Sequence, residues 1–258
     1  MNQSFYIGAV GAQQQQRRMN LYGNNIANVN TQGFKAERSR FSHLMYRDIR
    51  AIEEEEVMAG TGAALWTSAT DFSSGALTHT GRAQDYAIKG NGFFALADLE
   101  TGEVSLTRNG AFMWASLERP TNEVDAQGNL ITDEAGNPLT ELIYYLSDGE
   151  GRFVLSETGG MIELGEDNYT DQQPVGVYDH INYNGMEHVE DTRFLAVGKN
   201  GAMLRGTGEV VWNTLEGSNV DLAHELTRVI ESQRAYSLAL KVVTTSDEIE
   251  ETINGLSR

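Results

Sequence analysis

The chain is 258 residues long, 40% hydrophobic and 22% charged, enough to bury a core and too apolar for a disordered segment. It has no cysteine, which excludes a disulfide framework, a thiolate nucleophile and a thiolate metal site. A net charge of −18 excludes a general affinity for nucleic acid, and no apolar run nears the roughly 20 residues that cross a bilayer.

The charge is uneven. Residues 1–50 carry seven Lys/Arg against two Asp/Glu, residues 51–218 eight against twenty-eight, and residues 219–258 four against seven. A basic leading segment before an acidic middle reads as two regions with different neighbours, or as an acidic surface that is simply solvated. The opening stretch lacks the basic start, long apolar core and cleavage site of a secretory signal, so a route out of the cytoplasm would not use one.

The first 30 residues repeat at seven: Phe5, Ala12, Met19 and Ile26, with Ala9, Tyr22 and Val29 between them. That spacing predicts a helix of roughly 25 residues with one narrow apolar stripe. Gly8, Gly11 and Gly23 each cost it about 1 kcal/mol relative to Ala, so the helix is marginal alone and needs a partner. It ends in an amide-rich turn holding Asn24, Asn25, Asn28 and Asn30. These side chains can bond neighbouring backbone without adding charge, or they are a plain helix stop.

Residues 31–80 read as an extended connector, most clearly from 47 onward, where "EEEE" precedes small polar residues. Residues 81–218 read as a mainly β, antiparallel, hairpin-rich domain. Short apolar runs such as "DYAIKG" and "GFFALAD" are separated by Asn-Gly at 91–92, 109–110, 184–185 and 200–201. "TNEVDAQGNLITDEAGNPLTELIYY" suggests two further strands.

Asp221 to Gly255 contains no Gly or Pro before its end and predicts a long second helix. Ser218 and Asn219 offer a cap, while Asp221 and Glu225 suit the positive helix start. Its apolar face runs Leu222, Leu226, Val229, Gln233, Tyr236, Leu240 and Val243, then resumes at Ile249, Ile253 and Leu256. Two narrow stripes at opposite ends of one chain fit a coiled-coil pair built from residues 1–30 and 219–258. The alternative is that each helix packs on the β domain.

No constellation for catalysis stands out. The five histidines lack metal-ligand spacing, and the Gly-rich stretches lack the third Gly or the Lys-Ser/Thr of nucleotide loops. "DAQGNLITDE" at 125–134 is not ordered as a calcium loop. Neither metal nor cofactor is expected. A chance carboxylate pair keeps open a remote reading as a cell-wall glycan hydrolase.

"NNIANVNTQGFKAERSRF" closely resembles the signature of bacterial flagellar rod and hook proteins, through Asn24, Asn25, Ile26, Ala27, Asn28, Thr31, Gly33, Phe34 and Lys35. The Gly-Ala and Gln-rich start, "IKGNGFFAL", "TRNGAFMW" and "LEGSNVDLAHELTRVIESQRAYSLAL" are similar to later stretches of that family, in the same order. Chain length is most like the distal rod type; a hook or hook-associated protein is the nearer alternative. The resemblance implies an exported structural subunit without catalysis, located in the flagellar basal body of the cell envelope. Its partners would be copies of itself, neighbouring rod and hook proteins, the type III export apparatus and surrounding ring proteins. It further implies helical polymerisation into a hollow, torque-bearing shaft, with no nucleic acid and no membrane insertion. On that reading the assembly residues are Phe5, Ala12, Met19, Tyr22, Asn24, Asn25, Ile26, Asn28 and Val29 on the first helix. On the second they are Leu222, Leu226, Val229, Gln233, Tyr236, Leu240 and Val243.

Overall fold

The computed structural model describes residues 3–43, 46–50, 56–60, 63–120, 140–165, 171–190 and 192–256. Two compact units result. One gathers Met1–Asn30, Lys35–Ser73 and Val220–Arg258; the other comprises Thr31–Phe34 and Ser74–Asn219.

In the first unit, helix α1 spans Gln3–Ala27 and helix α2 spans Leu222–Leu256, close to the bounds that periodicity and the lack of breakers predict. The Asp221 carboxylate caps α2, accepting from the backbone N–H of Ala223 at 3.0 Å and of His224 at 3.2 Å. Ser218 and Asn219, the expected caps, instead belong to the chain before the helix. The two helices pack antiparallel: Ser4 Oγ lies 3.0 Å from Ser246 Oγ at one end, and Asn25 Nδ2 donates to Glu225 Oε2 at 3.1 Å near the other.

The helices come very close. A Cβ placed on Gly8 would stand 2.9 Å from Val243 Cγ2 and 3.2 Å from the Ala239 carbonyl oxygen. Gly8, one of the glycines that weaken α1 as an isolated helix, is what allows its backbone to reach α2, whereas Gly23 has no atom near enough to explain it. Gly8→Val is therefore expected to push the pair apart and cost about 1–3 kcal/mol, read as a lower midpoint in the thermal loss of helical circular dichroism.

Residues after α1 form strands β1 (Glu37–His43), β2 (Tyr46–Arg50), β3 (Glu56–Gly60) and β4 (Ala63–Thr70). β1 pairs with β4 and β2 with β3, both antiparallel, with a shift in register between Arg40 and Phe41. The stretch that reads from sequence as an extended connector is thus strand-paired in its described parts. Its charged run and interspersed Gly, Ser and Thr give no sustained two-residue alternation by which strands are read.

The second unit is antiparallel throughout its described strands. Its main sheet runs Glu163–Leu164, Thr140–Ser147, Arg152–Val154, Phe94–Asp98, Val104–Thr107, Arg193–Leu195 and Glu187–Val189, with Met113–Pro120 also paired to Thr140–Ser147. Three smaller pairs accompany it: Tyr86–Lys89 with Glu209–Trp212, Leu77–His79 with Thr214–Glu216, and Tyr178–Asp179 with Leu204–Arg205. The core gathers Tyr86, Ile88, Phe94, Leu96, Phe112, Leu146, Val154 and their neighbours. Each such fully buried side chain contributes about 1.5–3 kcal/mol. Phe94 and Phe112 meet edge to face at 5.2 Å. The strand expected near 130 and the oxygen-rich stretch 125–134 lie outside the described residues, whereas "TELIYYLS" is the strand Thr140–Ser147.

Candidate functional site

The stripe expected to join the two helices coincides with their seam only in part. On α2 the buried positions are Glu225, Ser232 and Ser246, which continue the seven-residue spacing through the half-buried Ala239. Val229, Tyr236 and Val243 flank this line and are half-buried. Leu222, Leu226, Gln233 and Leu240 turn away from it, with Leu226 48% and Leu240 40% exposed. The reason is the close approach of the backbones: a seam that brings Gly8 against Ala239 has room for Ser and Ala but not for a row of leucines. Ile253 and Leu256 are exposed for a simpler reason. Ser4 already meets Ser246, so Ile253 lies two turns, about 10 Å, past that contact.

On α1 the expected positions divide similarly. Ala12, Tyr22 and Asn25 are buried, Phe5, Met19, Ile26, Asn28 and Val29 half-buried, and Asn24 exposed. Tyr22 is held through its hydroxyl, which accepts from Arg18 Nη2 at 2.9 Å and lies 3.0 Å from Ser39 Oγ.

The asparagines of the signature have two distinct jobs. Asn28 closes the helix, its Nδ2 donating to the Asn24 carbonyl at 3.2 Å and to Asn24 Oδ1 at 2.8 Å. Asn25 is completely buried and acts as a piece of β-ladder. Its Nδ2 donates to the Glu37 carbonyl at 2.9 Å and its Oδ1 accepts the Glu37 N–H at 3.0 Å, while the same amide reaches Glu225. One neutral side chain thereby joins α1, the start of β1 and the first turn of α2. A carboxylate there could not donate, and a lysine could not accept. Asn25→Ala leaves the half-buried Glu37 backbone groups and the buried Glu225 carboxylate without this partner and is expected to cost about 1–3 kcal/mol, measured by urea titration of helical circular dichroism.

Lys35 follows, also completely buried, with Nζ donating to the Ser73 carbonyl at 2.8 Å. Nearby, the Ala36 carbonyl accepts from Asp71 N at 2.8 Å and Arg38 pairs with Asp71 at 2.5 Å. The lysine of the signature thus helps bind residues 35–38 to residues 71–73.

In the β-rich unit, the remaining signature residues surround an ion pair that sequence reasoning did not single out. Gly33 has φ of +69°, and a Cβ there would stand 2.2 Å from Asn109 N, so only glycine fits. Its N–H donates to the Glu216 carbonyl at 2.8 Å. The Glu216 carboxylate is fully buried, accepting from Arg108 Nη1 at 2.9 Å and from Gly75 N at 2.8 Å. Arg108 also donates to the carbonyls of Ile88 at 3.3 Å and Gly90 at 2.7 Å, with its guanidinium 5.4 Å from the Phe93 ring. Both residues stand in the quoted motifs, "TRNG" and "LEGSNV", but nothing in either motif shows that they meet.

Among the described residues no group of His, Asp and Glu could hold a metal ion, and none of the described helices is long and apolar enough to cross a membrane. What the geometry offers is a tight helical pair with an uncovered apolar flank, and a signature turn spent on anchoring. That combination defines a chain whose helical pair leaves an apolar surface open.

The comparisons with known proteins agree. Residues 5–35 match the family model "Flagella basal body rod protein", and residues 213–256 match "Flagellar basal body rod FlgEFG protein C-terminal". The chain is 30% identical over 271 residues to the flagellar basal-body rod protein FlgG of Buchnera aphidicola subsp. Acyrthosiphon pisum, covering 98% of this chain and 99% of that one. It is 29% identical over 277 residues to FlgG of Bacillus subtilis, with both chains covered completely. It is 28% identical over 264 residues to the rod protein FlgF of Caulobacter vibrioides, covering 96% and 95%. The chain belongs to the flagellar basal-body rod protein family.

Proposed function

We propose that the chain is a structural subunit of the flagellar basal-body rod, of the distal type, acting mechanically in motility rather than by catalysis. The observation that carries this reading is the uncovered flank of α2, where Leu222, Leu226, Ile230 and Leu240 remain exposed although the helix has its partner α1. Full-length similarity to rod proteins supports it. In this reading α1 and α2 work as a coiled-coil pair within each subunit, and the flank is covered by neighbouring copies. A contact between different surfaces of successive subunits generates a helix rather than a closed ring, and the resulting hollow shaft transmits torque.

Phe5, Ala12, Met19, Tyr22, Asn25, Ile26, Val29, Val229, Tyr236 and Val243 then shape the pair. Asn24 and Asn28 finish its edge, while Leu222, Leu226, Gln233 and Leu240 meet other copies. Neighbouring rod and hook proteins, the type III export apparatus and ring proteins are the further partners. The test is to purify basal bodies from the native cell and quantify this chain by mass spectrometry alongside electron microscopy of a deletion strain. The expected result is enrichment with the rod and a mutant without hook or filament. Absence from basal bodies, or normal flagella in the deletion strain, overturns the reading.

A further inference from the structure

Four Asn-Gly pairs lie in the β-rich unit: Asn91–Gly92, Asn109–Gly110, Asn184–Gly185 and Asn200–Gly201. Asn-Gly is the pair most open to spontaneous deamidation, because a glycine does not shield its own backbone nitrogen. That nitrogen attacks the Asn side-chain carbonyl carbon, a C–N bond forms, and the side-chain amide leaves as ammonia, giving a succinimide. Water then opens the ring at either carbonyl, yielding aspartate or isoaspartate with one new negative charge. The reaction needs the side chain and the following peptide to turn toward each other, so the surrounding fold decides which pair reacts.

Three of the four are held. Asn200 is completely buried with both ends of its amide engaged: Oδ1 accepts from Val197 N at 2.7 Å, and Nδ2 donates to the carbonyls of Asn182 at 2.7 Å and Asn184 at 3.2 Å. Asn109 Oδ1 accepts from Ala111 N at 3.1 Å, and Gly110 is so close to Tyr86 that an added Cβ would stand 1.7 Å from its carbonyl oxygen. Asn91 has an exposed side chain, but the peptide that must rotate is enclosed. Gly92 is buried, with the position of an added Cβ only 2.4 Å from Val177 Cγ1.

Asn184 differs in its side chain and in the exposure of its glycine, although its own backbone is held, its N–H donating to Asn182 Oδ1 at 2.9 Å and its carbonyl accepting from Asn200 Nδ2 at 3.2 Å. Asn184 and Gly185 are both exposed. The Asn184 side-chain amide makes no hydrogen bond among the described residues, and Gly185 sits at the crest of a turn closed by Met186 N donating to the Tyr183 carbonyl at 3.4 Å. The atoms nearest Gly185 belong to the flexible end of Lys199, with Nζ 3.0 Å from where a Cβ would stand.

We propose that Asn184 is a site of spontaneous deamidation in the folded protein, where the other three pairs are protected. The consequence is local and specific. The product carboxylate arises beside Lys199, and an isoaspartate lengthens the backbone in the turn whose carbonyls at Asn182 and Asn184 hold the buried Asn200 amide.

The test is ageing of the full-length protein in mildly alkaline buffer, with peptide mass spectrometry and an isoaspartyl methyltransferase assay at successive times. A parallel sample in urea exposes all four pairs equally. The expected result is conversion of Asn184 several-fold faster than Asn91, Asn109 or Asn200 when folded, and comparable rates for all four in urea. Asn184→Gln should remove most of the isoaspartate signal assigned to the β-rich unit. Asn254–Gly255, in the last turn of α2, is followed in its own peptide because end fraying governs it separately. Conversion of Asn91, Asn109 or Asn200 as fast as Asn184 in the folded chain, or an Asn184 that keeps its amide when folded while reacting in urea, overturns the assignment.

Discussion

Leu226→Asp and Leu240→Asp are expected to leave the isolated subunit folded and to remove it from the rod. In the single chain both side chains are substantially exposed, so an aspartate there meets water and should change monomer stability by no more than about 0.5 kcal/mol. On the proposed function the same positions face a neighbouring subunit in the rod, and an unpaired carboxylate buried in that contact would cost about 3 kcal/mol or more. That is roughly a hundredfold in each association step, and a helical polymer repeats the loss at every subunit. Circular dichroism of the purified variants should match the parent, while their recovery in isolated basal bodies and motility in soft agar should fall to background. Ser232→Leu should give the opposite order of events. Ser232 is wholly buried in the seam, so a larger side chain there separates α1 from α2 and lowers the helical melting temperature of the monomer before assembly is tested. Incorporation of both aspartate variants at parental levels would mean that the flank is not a subunit contact.

The contrast between these positions shows what the residue pattern could convey. Helix α2 is legible because thirty-odd residues pass without a breaker, and its observed span Leu222–Leu256 follows. The phase of its contact with α1 is not legible from apolar residues, since Glu225, Ser232, Ala239 and Ser246 recur at seven without a hydrophobic signal. Leucines mark the face that the isolated chain leaves open. A reading that equates apolar with inward therefore catches the seam only at its flanking Val229, Tyr236 and Val243 and counts the outward leucines with it. The pairing of strands β1–β4 is likewise not legible, since their sequence lacks a sustained alternation.

The signature turn was legible as a motif and obscure as a mechanism. Asn25 reads as an amide in a helix stop, yet its function depends on Glu37 and Glu225, the second of which lies 200 residues away. Gly33 is explained by a close approach to Asn109 that no local pattern contains. Charged residues are normally assigned to the surface, and Lys35, Arg108 and Glu216 are all buried. Their burial is set by partners distant along the chain: Gly75 and Arg108 for Glu216, and Ser73 for Lys35.

Glu216→Gln should therefore be among the most destabilising single changes in the β-rich unit, despite its near-identical shape. The parent carboxylate faces Arg108 at 2.9 Å with both side chains almost wholly excluded from water. Taking away its charge leaves the guanidinium buried with only neutral acceptors at Ile88 and Gly90, and loss of one partner of such a pair costs about 3–5 kcal/mol. Part of the Gln side chain must also turn an N–H toward either Arg108 or Gly75 N, and both are donors. If the carbonyl oxygen is kept for one, a donor faces a donor at the other. The expected result is a marked drop in the denaturant midpoint followed by tryptophan fluorescence, since Trp114 and Trp212 pack against the core of this unit. Arg108→Met combined with Glu216→Met removes both charges and should recover part of the loss. Full recovery is not expected, because the N–H of Gly75 then lacks its carboxylate acceptor and the carbonyls of Ile88 and Gly90 lose the Arg108 donor. A Glu216→Gln midpoint equal to the parent's would show that the pair's charge contributes nothing to holding the "LEGSNV" segment in place. The stability of that segment would then rest on its backbone bonds, Gly33 N to the Glu216 carbonyl and Gly217 N to the Ala76 carbonyl, each 2.8 Å.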